Sequence, residues 1–188
     1  LDSVKNDSVV IDIGAQIGVF SVKAAAQAQN VKVFSYEPMP VNFQMLQKNI
    51  VLNKMKNSII AINTAVSDAA GEASFFIDRH NTGGGSFYCH QGLREPEVIT
   101  VKCTTLESIF NDNKISKCDF LKMDCEGTEA KILFSAPSFL FQQIKTMSIE
   151  WHGDLNGIRI DDFKLFLKKL GYAIEYSQKA NIVYAVKK

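Results

Sequence analysis

Four short segments of this sequence carry residue types and spacings that could do chemistry. The first, Val9-Val10-Ile11-Asp12-Ile13-Gly14-Ala15-Gln16-Ile17-Gly18, runs from β-branched residues through a glycine into a helical period, and open α/β sheets bind nucleotides at such junctions. Gly14 lets the backbone approach a ligand closely, and Gly18 permits close packing of helix on strand. A dinucleotide fingerprint starting at Gly14 would need glycine where Gln16 and Val19 stand, so the turn suits a nucleoside better than a pyrophosphate. Asp12 either holds that turn or meets a ligand's ammonium. Glu37 closes the second β-branched run, where a carboxylate can accept both hydroxyls of a ribose; standing alone it would be an ordinary solvated strand end. In Phe120-Leu121-Lys122-Met123-Asp124-Cys125-Glu126-Gly127-Thr128-Glu129, three acids follow a strand at the edge where such sheets hold ligands. The competing reading is first-turn helix charge, which suits Glu129 best and Asp124 and Glu126 less. Ile149-Glu150-Trp151-His152 brings an imidazole to the same edge, as a working group or as a structural histidine. His80 and His90 have no metal-ligand spacing and receive no role.

These groups need a scaffold, and the chain alternates short β-branched runs with helical periods, the pattern of a parallel sheet covered by helices. Strands are predicted at Ser8-Ile13, Val31-Tyr36, Ser58-Ile62, Asp119-Met123 and Thr146-Glu150. Between them, Ile17, Ser21, Ala24 and Ala28 share a helix face, as do Phe43, Leu46 and Ile50 in a helix that Pro40 opens. Leu106 to Phe110 and Glu129 to Phe134 read as shorter helices. A further helix carries Phe163, Phe166, Leu167 and Leu170, capped by Asp161 or Asp162 and stopped by Gly171. From about residue 67 to 103 the rhythm changes to a β-rich excursion containing a flexible loop at Gly83-Gly84-Gly85. Tyr172-Tyr176 and Ile182-Val186 form a terminal hairpin. The expectation is one doubly wound α/β domain over residues 1–188.

Composition narrows the function. At 46% hydrophobic and 22% charged the chain has a globular make-up, which excludes disorder and collagen-like repeats. Its net charge of +1, with Lys and Arg scattered, lacks the basic stripe of a nucleic-acid binder. No apolar run is long enough to span a bilayer, and the first residues hold no signal core, so the expected location is the cytoplasm. Cys89, Cys103, Cys118 and Cys125 show no zinc spacing and read as free thiols, and Asn6-Asp7-Ser8 matches a glycosylation sequon by chance. A P-loop is excluded because no Gly-Lys dipeptide occurs. A nicotinamide-dependent reductase would share the architecture, but its Tyr-x-x-x-Lys pair is met only by Tyr184 and Lys188 on a terminal strand.

Taken in order, Asp12-Ile13-Gly14-Ala15-Gln16-Ile17-Gly18, Glu37-Pro38, Ala65-Val66-Ser67-Asp68, Lys122 to Glu129 and Ile149-Glu150-Trp151-His152 resemble the FkbM-type methyltransferases. The resemblance covers about Val9 to Val186. One departure is Gln16, where family members often carry Asn; relatives also commonly carry a segment ahead of the first strand that helps cover the pocket. The resemblance implies a class I methyltransferase (Rossmann-like) α/β fold: a seven-stranded, mostly parallel sheet with helices on both faces and a C-terminal β-hairpin whose last strand is antiparallel. It implies S-adenosylmethionine as cofactor, S-adenosylhomocysteine as product, and O-methylation of a small molecule or sugar. Asp12, Gly14, Ala15, Gln16 and Gly18 would line the methionine end, Glu37 and Pro38 the ribose, and Val66 and Ser67 the adenine. Asp124 and Glu126 would face the methyl group. Glu126 and His152 are the candidate bases for the acceptor hydroxyl. A divalent cation held by Asp124 and Glu126 is an alternative that is not predicted. A methyltransferase-like domain that binds without turnover is the remaining competitor.

Overall fold

The computed structural model describes residues 3–78, 81–89, 95–153 and 157–188. In chain order the elements are β1 (Val9–Ile13), α1 (Val19–Ala25), β2 (Lys32–Tyr36), α2 (Pro40–Leu52), β3 (Ile59–Ile62), β4 (Ala65–Val66), β5 (Gly71–Asp78), β6 (Asn81–Ser86) and β7 (Pro96–Thr104). There follow α3 (Leu106–Asp112), β8 (Phe120–Met123), α4 (Glu129–Ser135), a 3₁₀ turn (Ser138–Gln142), β9 (Thr146–Glu150), α5 (Ile160–Lys169), β10 (Tyr172–Ser177) and β11 (Ile182–Lys187).

Seven strands form the main sheet in the order β10-β11-β9-β8-β1-β2-β3. β3, β2, β1, β8 and β9 pair in parallel, and β11 runs antiparallel to both of its neighbours. Central parallel strands are buried on both faces, which is why β1 and β8 are nearly continuous apolar runs. Their alternation still sorts the two layers. Ile11, Ile13, Leu121 and Met123 pack with Ile109, Ile132, Leu133, Phe163 and Leu167 of α3, α4 and α5. Val10, Val33 and Phe120 pack on the opposite face with Ala24 of α1 and Leu46 and Ile50 of α2.

The register places a polar row inside that second layer. Asp12 stands opposite Ser35 on β2 and Lys122 on β8, and Lys122 stands opposite Ser148 on β9. A second, four-stranded sheet of order β4-β7-β5-β6 spans Ala65 to Thr104 and has its own small core of Ala65, Phe75, Val101 and Cys103, shared with Met39.

Three sequence expectations change. Gly83 to Gly85 belong to strand β6, paired antiparallel with β5, because a partner strand supplies the ladder that glycine propensity alone does not foresee. α1 begins at Val19 rather than Ile17, since Gln16 (φ 51°) and Gly18 (φ 88°) both take the left-handed conformation. Asp161 and Asp162 lie in the first turn of α5 behind Arg159, so they complement the helix dipole instead of capping it. Pro40 does open α2 at its first turn. Among the described residues no helix is long and apolar enough to cross a membrane.

Gly14 ties this scaffold to the site. It has φ +74°, its N–H donates to the Tyr36 carbonyl (3.0 Å), and a Cβ there would collide with the Asp124 carbonyl. Gly14→Ala is therefore expected to lose at least the roughly 1–2 kcal/mol of a left-handed L-residue, and more if the β1–β8 turns must part. Urea unfolding checks this, and an unchanged midpoint with unchanged slope would show that the two turns separate freely.

Candidate active site

β1, β2, β8 and β9 all end at one edge, and a cavity of about 550 Å³, counted out to its mouth, opens there. Gly14, Gln16, Glu37 and Pro38 line one side, Asp124, Cys125 and Glu126 another. Met39, Ala65, Val66, Phe75, Gly85 and Phe87 close an apolar end. Phe75 and Phe87 meet edge to face at 5.1 Å, and a methyl on Gly85 would stand 2.5 Å from the Phe75 ring. Val66 was expected at the pocket, and so was the segment from Gly83 to Tyr88; Phe75 was not legible in advance, because it joins the cavity only through the pairing of β5 with β6 and β7.

Glu37 is only 4% exposed, yet it faces this cavity. Its Oε2 accepts the Gln16 N–H (2.8 Å) and its Oε1 the Met39 N–H (2.9 Å). The left-handed turn at Gln16 is what aims that first amide back at β2. Burial pushes the Glu37 carboxyl up, and these amides with Asn42 pull it back. An ionised carboxylate offers about four acceptor sites, so capacity remains for a ligand's hydroxyl.

Asp12 takes the first of its two expected roles. It is fully buried, accepts from Ser21 Oγ at Oδ2 (2.5 Å), and pairs with Lys122 Nζ at Oδ1 (3.4 Å). It supports the turn from beneath and does not line the cavity. Lys122 also donates to the Gly14 carbonyl (2.7 Å) and reaches Asp124 Oδ2 (3.3 Å). Burial lowers the Lys122 ammonium, but the charges of Asp12 and Asp124 outweigh it and hold the group above its usual value. For Asp12 burial is the larger effect and leaves the carboxyl raised. Ala15 is buried behind the turn, donating to the Tyr36 carbonyl, and Gly18 precedes α1 against Leu46. Ser67 faces a neighbouring cavity and bonds Asp68.

Beyond the cavity lies an acid–imidazole cluster. His152 Nε2 faces Asp124 Oδ1 (3.6 Å), Glu126 Oε2 (3.5 Å) and Glu150 Oε1 (3.8 Å), while Nδ1 bonds Glu129 Oε1 (2.8 Å). Burial alone would lower this imidazole. The hydrogen bond and charge of Glu129, with Glu126 and Asp124 behind, outweigh burial and raise it to about 9. Glu126 is raised, chiefly by burial, against the pull of His152. Glu126 and Gly127 have φ 51° and 102°, a tight turn that points the Glu126 side chain back at the edge. Asp124, Glu150 and His152 have ligand atoms within 4.8 Å of one another, the one such set among the described residues, and Glu126 is not part of it. His80 and His90 lie outside the described residues.

A seven-stranded sheet with one reversed strand, and a cavity at the carboxyl ends of its central strands, define a class I methyltransferase architecture. The chain belongs to the FkbM methyltransferase family: residues 12–174 match the methyltransferase FkbM domain. It is 23% identical to the hexuronic acid methyltransferase AglP of Haloferax volcanii, over 83% of this chain and 61% of that protein. It is 25% identical to the 31-O-demethyl-FK506 methyltransferase FkbM of Streptomyces tacrolimicus, over 79% of this chain and 66% of that one. The crystal structure of methyltransferase FkbM from Methylobacillus flagellatus KT superposes with TM-score 0.61 and 17% identity, covering 96% of this chain and 44% of that chain. The chain thus spans less than two thirds of these relatives' lengths.

The imidazole yields a pH prediction with a definite sign. Its folded value near 9 lies above the ordinary 6.5, so between those pH values the folded state holds a proton that the unfolded state has lost. The stability it contributes is complete below about pH 6.5 and is lost as pH rises through about 9. Unfolding free energy of the wild type should fall across this window more than that of His152→Asn. Parallel curves would show that His152 titrates normally.

Proposed function

We propose that this chain binds S-adenosylmethionine in the edge cavity and transfers its methyl group to a hydroxyl of a sugar or other small molecule. The observation that carries the reading is Glu37: a buried carboxylate, held by two backbone amides, faces a cavity whose other walls are a glycine turn and an apolar slot. That is the complement of a ribose joined to a flat base. Glu37 would accept the ribose hydroxyls, the Pro38–Met39 segment, Val66, Phe75 and Phe87 would enclose the base, and Gly14, Gln16 and Asp124 would hold the amino-acid end.

The cofactor supplies a methyl group on a positively charged sulfur. Asp124, Glu126, Glu129 and Glu150 outnumber the two cations Lys122 and His152 at that end, a field that favours a cationic donor. The protein's main work is alignment of acceptor and methyl carbon, which can contribute about 7–11 kcal/mol. The acceptor hydroxyl must also lose its proton. His152 already carries one at neutral pH, so Glu126, raised by burial, is the better base and His152 the group that orients the acceptor oxygen. A positioned base adds about 10²–10⁴-fold. The names of two relatives, a hexuronic acid methyltransferase and a 31-O-demethyl-FK506 methyltransferase, support a hydroxylated acceptor.

Calorimetric titration with S-adenosylhomocysteine tests the cofactor assignment. Saturable heat is expected, and Glu37→Ala should weaken it by about 1.5–3 kcal/mol, the range for hydrogen bonds to a charged group, without unfolding the chain. Binding of NADH in place of S-adenosylhomocysteine would overturn the assignment. With a methylated-sugar assay in hand, Glu126→Gln should lower turnover by about 10²-fold while leaving product affinity nearly unchanged.

A further inference from the structure

Apart from its share of the local field, Glu129 has no task in the reading above, yet it is the most deeply buried of the acids that follow β8. Its residue is 1% exposed, whereas the side chains of Asp124 and Glu126 are 32% and 27% exposed. It does not line the cavity. Its place as first residue of α4 accounts for a negative charge there, but a dipole needs no particular partner. A buried carboxylate persists only where donors surround it, and the donors here come from two separate elements. Oε1 of Glu129 accepts the Cys125 N–H (3.1 Å) and the Gly127 N–H (3.2 Å), the two amides that flank Glu126. The same oxygen meets Nδ1 of His152, beyond the end of β9 (2.8 Å).

One side chain therefore touches the His152 ring and the N–H groups of both residues that flank Glu126. The amides on either side of Glu126 are pinned where that residue takes an unfavourable left-handed φ of 51°. The imidazole, pinned by Nδ1, has a single remaining nitrogen, and that nitrogen faces Asp124, Glu126 and Glu150. We propose that Glu129 is the positioning residue of the transfer site: it never meets the substrate, but it fixes the Glu126 turn and the His152 ring relative to each other. This inference rests on Glu126 and His152 being the groups that face the acceptor. Carboxylates that accept from a working imidazole's second nitrogen set its tautomer and orientation in the same way elsewhere.

Glu129→Gln keeps an oxygen for the backbone amides and removes the charge, while Glu129→Ala removes both, so the pair separates holding the turn from holding the ring. Imidazole proton spectra of nitrogen-15 histidine-labelled protein should show a downfield Nδ1 proton for His152, identified by its disappearance in His152→Asn. It should move upfield or broaden away in Glu129→Gln and persist in Glu150→Gln. Amide exchange at Cys125 and Gly127 should stay near wild type in Glu129→Gln and quicken about tenfold or more in Glu129→Ala. S-adenosylhomocysteine affinity should stay within about twofold in Glu129→Gln, which keeps an acceptor for the Cys125 and Gly127 amides and so leaves that wall of the cavity in place. Should the wild type methylate methyl α-glucoside or methyl α-glucuronoside, Glu129→Gln should lower kcat about tenfold or more with KM little changed. A Nδ1 resonance unmoved in Glu129→Gln, or amide exchange unmoved in Glu129→Ala, overturns the proposal. Failure of the wild type to bind S-adenosylhomocysteine would instead sink the cofactor reading, and the resonance and exchange measurements would still decide the role of Glu129.

Discussion

The buried ion pair between Asp12 and Lys122 constrains everything at the carboxyl edge. Both side chains lie within the sheet, opposite each other on β1 and β8, in a layer otherwise filled by Val10, Val33 and Phe120. Charges in such a place are costly unless paired and hydrogen-bonded, and removing one partner alone typically costs about 3–5 kcal/mol. Further hydrogen bonds anchor each member of the pair. Ser21 reaches down from α1 to Asp12 and also meets Ser35, while Lys122 reaches forward to the Gly14 carbonyl. The result locks α1, β1, β2 and β8 at one level of the sheet. The glycine turn that follows β1 cannot shift without stranding a charge.

From that fixed level the chain must leave each strand sharply, and it does so with left-handed residues. Gly14, Gln16 and Gly18 turn the chain from β1 into α1, and Glu126 and Gly127 turn it from β8 toward α4. Non-glycine residues take this conformation rarely, so Gln16 and Glu126 carry a cost that their surroundings must offset. Each is offset by a buried glutamate. Glu37 accepts the Gln16 amide, and Glu129 accepts the two amides beside Glu126. The two turns then approach so closely at Gly14 and Asp124 that no side chain fits between them.

The parts of this arrangement that depend on local sequence were legible. Strand–turn–helix at Asp12 to Gly18, the acid at Glu37, the acids after β8 and the histidine after β9 are short-range patterns, and the main sheet follows from the alternation of period two with period 3.6. What was not legible depends on pairing. Asp12 and Lys122, like the hydrogen-bonded Val9 and Asp119, sit 110 residues apart in the chain, so their meeting appears only once β1 lies beside β8. Glu129 suits a first-turn charge by position, and only the return of β9 to β8 gives it His152. The triple glycine reads as a loop because propensity is local, whereas the ladder with β5 that makes it a strand is not. Phe75 reaches the cavity through the second sheet, whose association with the first has no periodic signature.

Asp124 joins the two halves of the site. Its Oδ2 lies 3.3 Å from Lys122 Nζ, at the end of the buried row, and its Oδ1 lies 3.6 Å from His152 Nε2, in the acid–imidazole cluster. A carboxylate shared between two cations is drawn fully to neither, and both contacts exceed the length of a short charge-assisted hydrogen bond. Neutralising either cation would shift Asp124 toward the other. Lys122 is anchored by Asp12 and the Gly14 carbonyl, and His152 is anchored by Glu129, so neither can follow. The wall between the Glu37 end of the cavity and the cluster beyond it, built by Asp124, Cys125 and Glu126, thus contains one carboxylate that faces both cations.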